Sequence, residues 1–414
     1  MFQTERPTLP GIDLGNADLF VAGYPHEAWR RLRAEAPISW NEGADWFPGF
    51  WSITKYADVF AISRDTARFS SERGFILTHN PEDLTPSSGV GTILLGIDPP
   101  RHRRLRRLVT VAFTPRRIAL LEPGIRGITV GLLDAVAPRG ACDFVVDVAA
   151  KLPVAVICQM MGVPPEDWDR MFALTNQVLG GGDPEYQTTP GDPGATITHG
   201  FEAMFGYFAR LLAARRAAPR DDLVSALAAA QIDGEHLTDE EILYFCYLLI
   251  LAGNETTRNA TSGGLLALIE HPAEQARLRA DPSLMPSAVE EILRWTSPVL
   301  HMARTAKTDV RLRDVTVAAG ERVVLWYPSA NRDEEVFAEP DRFDVGRAPN
   351  YHLAFGIGEH VCLGLNLARL ELRVMFEEVL RRLTDIALAG EVERLRSTFI
   401  GGVKHAPIRF AAVA

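Results

Sequence analysis

The sequence contains few cysteines, and none of them lies close to another. The four are Cys142, Cys158, Cys246 and Cys362, and they form neither a CxxC motif nor the spacing of a metal-ligand set. A disulfide framework is therefore not expected, and a reducing cytoplasm is the predicted location.

Long apolar runs are also missing. The longest, ILYFCYLLILAG at 242–253, is well short of the roughly 20 residues that a membrane-spanning helix requires. The start, MFQTERPTLPGIDLG, is polar and interrupted by proline, which is not the pattern of a signal peptide. We therefore expect no membrane anchor.

Basic residues are in deficit, because 43 Lys and Arg face 53 Asp and Glu and leave a net charge of −10. This balance argues against nonspecific binding to nucleic acid. Neither a Ser/Gly linker nor a repeat divides the chain, and its 47% of hydrophobic residues can fill a large core. We predict one domain over residues 1–414, with an extended N-terminal segment at 1–20.

Helical periodicity dominates the chain, and strand-like runs are few. The predicted strands are WSIT at 51–54, a hairpin at 316–326 and a strand near 403–410. The predicted fold is therefore mainly α with a small β region. Apart from the longest one, the predicted helices span residues 26–36, 103–113, 119–136, 166–179 and 197–216.

The longest predicted helix follows Thr238, which forms a capping box with Glu241, and it ends before Pro272. Residues 242–252 are apolar on every face, so this helix is expected to be buried. The run GNETT at 253–257 then breaks the pattern, since a glycine and a buried carboxylate are both unfavourable inside a helix. Such a break indicates a functional site. A glycine packed against another helix, with the polar side chains reaching solvent, is the alternative.

The stretch FGIGEHVCLG at 355–364 places three glycines around Cys362. Glycine allows a sharp turn and a close approach of the backbone to a flat ligand. Apolar residues at helical spacing follow, so Cys362 lies at or just before a helix N-terminus, where a thiolate is favoured. A buried structural cysteine in a glycine turn is the alternative for this residue taken alone.

Two further patterns carry charge. Glu291 and Arg294 share one helix face among apolar neighbours, which indicates a semi-buried ion pair. In PPRHRRLRRLV, at 99–109, His102 and Arg106 are four residues apart and could clamp one dianionic group. The other arginines of this run would form a solvated basic face, or a positive patch for an acidic protein partner.

The motifs FGIGEHVCLG, AGNETT, EILR and FAEPDRFD (337–344), in this order and spacing, resemble the cytochrome P-450 monooxygenase superfamily. The resemblance extends from WSITKYADV near residue 51 to the C-terminal tail. It implies a triangular single domain in which haem lies between a long distal helix and a proximal helix that follows the cysteine loop. It also implies haem b (iron protoporphyrin IX) as cofactor and O2 as co-substrate.

The resemblance assigns a role to each matching position of the haem site. Cys362 would be the thiolate ligand of the iron, and Phe355 would shield its sulfur. The glycines would let the loop lie against the porphyrin. The two carboxylates of the haem would be bound by His102, Arg106, Arg304 and His360. Gly364 belongs to the loop that contacts the haem, together with Phe355 and Cys362.

On the distal side, the resemblance places Ala252 and Gly253 where dioxygen binds, with Gly253 opening the helix to make room. Thr256 would hydrogen-bond to the oxygen undergoing reduction, and Glu255 would feed protons through water. Many relatives carry aspartate where this chain has Glu255, and the longer side chain is expected to serve the same purpose. Glu291 and Arg294 would form a structural network with Arg342 behind the proximal face.

Three reactions are compatible with a haem-thiolate site: monooxygenation, ligand binding or sensing without oxygenation, and peroxide-dependent oxygenation. Glu255 and Thr256 favour monooxygenation, because a pure binder needs no proton delivery and the family's peroxide users commonly lack this pair. No flavin or iron–sulfur segment is visible. Electrons would therefore come from a separate small ferredoxin and its NAD(P)H-dependent reductase. The predicted docking face comprises Arg103, Arg104 and Arg107, near Arg369 and Arg373.

The positions that match the family's distal pocket are apolar, which predicts a hydrophobic substrate without a charged anchor. Ordinary core packing is the alternative for each of them. The segment 69–107 and AGNETTRNA look closest to bacterial members that oxidise sterol side chains, terpenoids, alkyl chains or arenes, and a sterol or terpenoid-like substrate is favoured. The loop at 70–97 is expected to supply much of the selectivity. The predicted pocket residues are Leu248, Ala252, Leu300, Met302, Phe399 and Ile400.

Overall fold

The structure, a computed structural model, describes residues 6–43, 48–77, 91–232 and 234–413. Helices form most of this part of the chain, which confirms the predicted mainly α fold with a small β region. Each predicted helix is present, with ends that differ from the prediction by four residues or fewer. The α-helices are α1 (His26–Glu35), α2 (Tyr56–Arg64), α3 (Arg101–Thr110), α4 (Pro115–Ala119), α5 (Glu122–Val136), α6 (Lys151–Met161), α7 (Trp168–Gly180), α8 (Pro193–Ala217), α9 (Leu223–Ala229), α10 (Asp239–Glu270), α11 (Pro272–Ala280), α12 (Met285–Thr296), α13 (Tyr327–Ala330) and α14 (Leu365–Arg382).

The strands are short and cluster in several small sheets. They are β1 (Ile38–Asn41), β2 (Phe50–Ile53), β3 (Phe69–Ser70), β4 (Ala141–Asp143), β5 (Gln231–Ile232), β6 (Glu235–His236), β7 (His301–Ala306), β8 (Val310–Leu312), β9 (Val315–Val317), β10 (Arg322–Trp326), β11 (Leu383–Leu388), β12 (Glu393–Arg394), β13 (Val403–His405) and β14 (Pro407–Ala412).

Helix α10 is the central helix of the fold. The Thr238 hydroxyl accepts the amide of Glu241, and the Glu241 carboxylate accepts the amide of Thr238, so the predicted capping box is confirmed. The helix has 32 residues and ends at Glu270, with His271 as its C-cap before Pro272. At 1.5 Å per residue it is about 48 Å long. It packs against α6, α8, α12 and α14.

The largest sheet has the strand order β1-β2-β10-β7-β3. Strand β10 pairs in parallel with β2 and antiparallel with β7. Strand β9 pairs with β8 instead, through a tight turn at Arg313, whose φ angle is +50°. The hairpin predicted at 316–326 is therefore wrong, because its two strands belong to different sheets.

The C-terminal strands form two more sheets, β11-β14-β4 and β12-β13. The single strand predicted near 403–410 is in fact two strands, β13 and β14. The chain leaves the first at Ala406, which donates its amide to the side chain of Asp143 in β4 rather than to a backbone carbonyl. In the β12-β13 pair, Glu393 lies directly opposite His405.

Helix α14 begins at Leu365, with Gly364 as its N-cap, which confirms the predicted position of Cys362 just before a helix. Its buried face packs against α5, α12 and α10. Across the part of the chain that the structure describes, no helix combines the length and apolarity needed to cross a membrane.

Candidate functional site

The cysteine loop (residues 355–364) depends on its glycines for its shape. Gly356 and Gly358 have φ angles of +65° and +81°, which residues with side chains rarely adopt. At Gly358 a Cβ would lie 2.8 Å from the carbonyl oxygen of Ser63. The loop therefore needs glycine both for its turns and for its close packing beside α2. Gly364 has an ordinary φ of −85° and no protein atom near its Cβ position.

Cys362 is held by backbone and charge together. It donates its amide to the carbonyl of Phe355 at 2.9 Å. Burial raises the pKa of the Cys362 thiol, whereas the amide of Gly364 and the charges on Arg106 and Arg369 act in the opposite direction. The surroundings therefore include the groups that stabilise a thiolate, even though burial alone would favour the neutral thiol.

Arg106, on α3, braces the cysteine loop. Its guanidinium donates to the carbonyls of Glu359 at 3.2 Å and Val361 at 2.5 Å. Arg103, three residues earlier on the same helix, pairs with the Glu359 carboxylate at 2.5 Å. The helix that carries the predicted dianion clamp is thus fixed to the loop that carries Cys362.

A cavity lies between the cysteine loop and α10. It holds about 1470 Å³ of atom-free space, including its opening to solvent. Cys362 and Gly364 line it from the loop, and Ala252, Gly253 and Thr256 line it from α10. The apolar side chains of the lining include Leu94, Leu95, Leu248, Val299, Met302 and Leu367.

Part of the cavity lining is a buried group of basic side chains. The rings of His102 and His360 lie with their centroids 4.3 Å apart. Both ring nitrogens of His102 and Nδ1 of His360 lack a hydrogen-bond partner among the described residues. Burial, reinforced by the charges on Arg106 and Arg304, lowers the pKa of His102 to about 4, and it lowers that of His360 even further. This group would accept an anionic ligand.

On the α10 side, the hydroxyl of Thr256 donates to the carbonyl of Ala252 at 2.9 Å, so the helix itself holds this proton. The helix continues through Gly253 without a break. A Cβ at Gly253 would come within 3.0–3.3 Å of the Ile157 side chain on α6. The close packing of α10 on α6 therefore favours glycine here, because a side chain would have to displace Ile157 slightly, and this agrees with the alternative interpretation of this glycine.

Glu255 is not part of the cavity lining. Its side chain is 1% exposed, forms an ion pair with Arg258 and accepts a hydrogen bond from Asn259 at 3.2 Å. Arg258 also donates to the Asn176 side chain on α7 at 2.8 Å. Burial raises the pKa of Glu255, while Arg258 and Asn259 oppose the rise. Oxygen Oε2 of Glu255 has no partner among the described residues.

Behind the cysteine loop, Glu291 and Arg294 form a buried ion pair with two bonds of 2.8 Å. The structure corrects the predicted place of Arg342 in this network. The Arg342 guanidinium is exposed and pairs with Glu339. The backbone carbonyl of Arg342 points inward instead and accepts a hydrogen bond from Arg294 at 3.2 Å. The guanidinium that reaches Glu291 belongs to Arg347, at 3.1 Å.

Of the predicted pocket residues, Leu248, Ala252 and Met302 line the cavity. Leu300 does not, and it packs instead in a separate core cluster that includes Trp326. Strand β7 begins only at His301, so the alternation that turns Met302 towards the cavity does not extend back to Leu300.

Phe399 and Ile400 also lie outside the cavity lining. The ring of Phe399 packs on His301 at 5.8 Å, and Ile400 forms a β-bridge with Val299. Val299, which the sequence did not indicate, is the residue that reaches the cavity. Of the loop predicted to confer selectivity, residues 78–90 lie outside the described residues.

Glu371 is a second residue that sequence reasoning missed. It lines the cavity from α14 and is 1% exposed, and its Oε2 has no partner among the described residues. Burial raises the pKa of Glu371 to about 8. Its spacing from Gly364 and Leu367 was a usable signal, since residues three and four apart share one face of a helix.

The predicted docking face is more balanced in charge than its arginines alone indicate. Arg107 is exposed and forms no ion pair within the described ranges, and Arg116 and Arg117 on α4 are also exposed. The other predicted arginines pair with acids: Arg103 with Glu359, Arg104 with Glu235, Arg369 with Glu290, and Arg373 with Glu122 and Glu377.

Comparisons with known proteins agree with this geometry. The family model described as cytochrome P450 matches residues 201–395. A methyl-branched lipid omega-hydroxylase of Mycobacterium tuberculosis is 42% identical over 424 residues, which cover 99% of this chain and 97% of the relative. A steroid C26-monooxygenase of the same organism is 38% identical over 405 residues, 97% of each chain. A Mycobacterium marinum cytochrome P450 in complex with pseudoionone superposes with a TM-score of 0.91 at 37% identity, covering 98% of this chain and 99% of that one.

The chain therefore belongs to the cytochrome P450 family. It is a monooxygenase, and membership of the family implies haem as cofactor and O2 as co-substrate. The residues present fit haem. Cys362 offers a thiolate ligand at the cavity surface. Both ring nitrogens of His102 and Nδ1 of His360, which have no partner among the described residues, match two anionic carboxylates beside Arg304.

Proposed function

We propose that this monooxygenase hydroxylates a hydrophobic small molecule with a methyl-branched chain, of the terpenoid or sterol side-chain type. Alkyl and aromatic compounds are less favoured. The observation that carries the proposal is that Cys362 and Thr256 line one cavity whose remaining lining, outside the basic group, is largely apolar. The names of the two relatives, a methyl-branched lipid hydroxylase and a steroid C26-monooxygenase, support the same substrate class.

The binding roles follow from the positions of the side chains. Haem, when bound, would supply the redox chemistry that activates dioxygen and inserts one oxygen atom into a C–H bond. Cys362 would ligate its iron, and His102, His360 and Arg304 would hold its carboxylates. Arg106, whose guanidinium already donates to the carbonyls of the cysteine loop, would chiefly fix the loop and add positive charge. Apolar residues such as Leu248 and Met302 would orient the substrate by shape and exclude water.

Thr256 and Glu255 would manage protons. The Thr256 hydroxyl faces the cavity and donates a hydrogen bond to the carbonyl of Ala252. Rotation of the hydroxyl would let it donate to the reacting oxygen instead. Glu255 stands behind it, and one of its carboxylate oxygens has no partner in the described part of the chain. Burial raises the pKa of Glu255, so it can carry a proton nearer to neutral pH than an exposed glutamate. Release from Arg258 would let it deliver that proton.

We propose that electrons come from a small acidic ferredoxin, which an NAD(P)H-dependent reductase reduces in turn. Its docking site would centre on Arg107 together with Arg116 and Arg117, whose exposed guanidinium groups suit a negatively charged partner. We also propose a cytoplasmic location. The four cysteines, all of them described, are free thiols, as expected in a reducing compartment.

The substrate class can be tested with matched ligands on the purified holoenzyme. One pair is a methyl-branched and a linear fatty acid of equal carbon number, and another is a sterol with and without its isoprenoid side chain. We expect the branched acid and the intact sterol to shift the haem spectrum at lower concentration and to be hydroxylated near the chain end. Equal affinity for the linear acid, or oxidation of the sterol ring, would contradict the proposed class.

The reaction class needs a separate measurement. The reduced carbon monoxide complex should show the thiolate-ligated absorption band, and Cys362→Ser should lose it. With ¹⁸O2, ferredoxin, reductase and NAD(P)H, the product should contain one labelled oxygen atom. Product formed equally fast from hydrogen peroxide alone would favour peroxygenase chemistry. The test of the substrate class would still stand, because it does not depend on which oxidant the enzyme uses.

A further inference from the structure

Away from the cavity, three side chains of metal-binding type converge. Glu185 lies in the short 3-10 helix Pro184–Tyr186 between α7 and α8, Glu393 lies in β12, and His405 lies in β13. One ligand atom from each lies within 4.8 Å of the other two. None of the three lines the cavity, so the monooxygenase site does not account for them.

His405 is oriented as a metal-binding histidine. Its Nδ1 is hydrogen-bonded to Oδ2 of Asp143 at 2.6 Å, and its Nε2 is hydrogen-bonded to Oε1 of Glu185 at 3.0 Å. A metal ion would replace the proton of this second bond. Asp143 is itself fixed, because its Oδ1 accepts the amides of Val145 and Ala406. A carboxylate on the second ring nitrogen sets the tautomer and the direction of a ligating imidazole. The orienting group of a metal site is therefore already in place.

The other two ligands approach from separate elements. Glu393 lies directly opposite His405 in the β12-β13 pair, so the strand register itself brings them together. Glu185 is partly engaged, because Nζ of Lys404 lies 2.7 Å from its Oε2. Lys404 also pairs with the buried Asp183 at 3.1 Å, so its charge is shared between two carboxylates. The group thus contains four acids, Asp143, Asp183, Glu185 and Glu393, and one lysine, Lys404.

We propose that Glu185, Glu393 and His405 bind one divalent transition-metal ion, of which Zn²⁺ is the representative. One imidazole nitrogen and two carboxylate oxygens suit this class better than Ca²⁺ or Mg²⁺, which take oxygen ligands. Bond lengths of about 2.0–2.1 Å place the ligand atoms of a tetrahedral zinc site roughly 3.3 Å apart. Both glutamates are exposed, so their side chains can move to close the remaining distance. Water would complete the coordination.

The bound ion would connect three stretches of chain that are distant in sequence. It would tie the segment between α7 and α8 to β12 and β13, and through Asp143 to β4. Since an ion that binds only the folded protein stabilises it, Zn²⁺ should raise the melting temperature of the holoenzyme.

The experiment is a Zn²⁺ titration of the haem-loaded protein by calorimetry, with thermal unfolding in parallel. Wild type should bind one ion per chain and unfold at a higher temperature. Glu393→Gln and His405→Gln should lose both effects, whereas Glu391→Gln, which changes an exposed acid two residues away, should keep them. Binding that persists in Glu393→Gln and His405→Gln, or no saturable binding in wild type, would overturn the proposal.

Asp143→Asn is the most specific variant. Its oxygen can still accept the amides of Val145 and Ala406, but its amide group would donate to Nδ1 of His405 and place the ring proton on Nε2. We expect zinc binding to weaken about tenfold or more without loss of the fold. Unchanged affinity would show that His405 does not ligate the metal.

X-ray absorption at the zinc edge supplies a readout that does not depend on folding. A first shell of nitrogen and oxygen atoms, with the outer-shell scattering of one imidazole, is expected, and the haem iron does not contribute at this edge. A sulfur ligand would assign the ion to a cysteine and refute the site.

Discussion

Nε of Arg347 lies 3.1 and 3.2 Å from the two carboxylate oxygens of Glu291, a side chain that is fully buried and already paired with Arg294. Arg347 also donates to the carbonyls of Ala338, Glu339 and Arg342. Arg347 thus gives this buried acid a second positive partner and fastens the segment that precedes the cysteine loop.

Arg347→Ala should therefore cost much more stability than Arg342→Ala, although both remove one arginine from the same segment. Removing one partner of a buried pair costs about 3–5 kcal/mol, and Arg294 should keep the loss near the lower end. Within the described residues the Arg342 guanidinium pairs with the exposed Glu339 alone, so its removal should cost about 1 kcal/mol or less. Urea denaturation of the holoenzymes measures both, and equal losses would contradict this assignment.

The buried carboxyl of Glu371 predicts a pH dependence. Burial raises its pKa from an ordinary 4.5 to about 8, so between these values only the unfolded chain ionises. The folded state then binds one more proton, and the free energy of unfolding falls as pH rises, by up to about 1.4 kcal/mol per pH unit. Below pH 4.5 and above pH 8 this group contributes no slope.

Glu371→Gln should remove that slope, so its stability relative to wild type should improve between pH 5 and pH 8. Urea denaturation at several pH values measures the difference, and Glu391→Gln, at an exposed position, serves as the control. Parallel stability curves for wild type and Glu371→Gln would mean that this carboxyl does not remain neutral in the folded protein.

Thr256→Ala tests proton handling. If the hydroxyl supplies a proton to the reacting oxygen, its loss should lower the fraction of NAD(P)H electrons that reach product by about tenfold or more, with hydrogen peroxide released instead. Thr261→Ala, in the same helix but outside the cavity lining, should leave coupling intact. Product, NAD(P)H and peroxide are measured together. Unchanged coupling in Thr256→Ala would remove this residue from the mechanism.

Arg107→Glu tests the proposed electron-transfer surface. Charge reversal should slow reduction of the haem by the ferredoxin, most strongly at low salt, and should leave substrate affinity unchanged. Arg210→Glu, an exposed position on α8, is the matched control. Stopped-flow reduction at two ionic strengths gives the rates, and equal slowing in both variants would point to net charge rather than to a docking site.

The backbone conformation of the site could be predicted from the sequence, because it depends on local signals. Positive φ angles at Gly356 and Gly358, the capping box at Thr238 and the helix after Cys362 all arise within a few residues. Such patterns are visible in a single chain without knowledge of its tertiary contacts.

The pairing of side chains was harder to predict from the sequence, because it depends on residues that are far apart along the chain. Arg347 rather than Arg342 reaches Glu291, and Val299 rather than Leu300 reaches the cavity. In each case two nearby residues have similar side chains, and the path of the backbone determines which of the two side chains points to the site. The pairing of the predicted docking arginines with acids such as Glu359 and Glu290 was hidden for the same reason.

Contacts with two helices help to shape the cysteine loop. Cys362 bonds to the carbonyl of Phe355, Arg106 grips the carbonyls of Glu359 and Val361, and the backbone at Gly358 fits against Ser63. The shape of the loop is therefore tied to two helices that are far from it in sequence, α2 and α3. A substitution in either helix should alter the surroundings of Cys362 without contacting it.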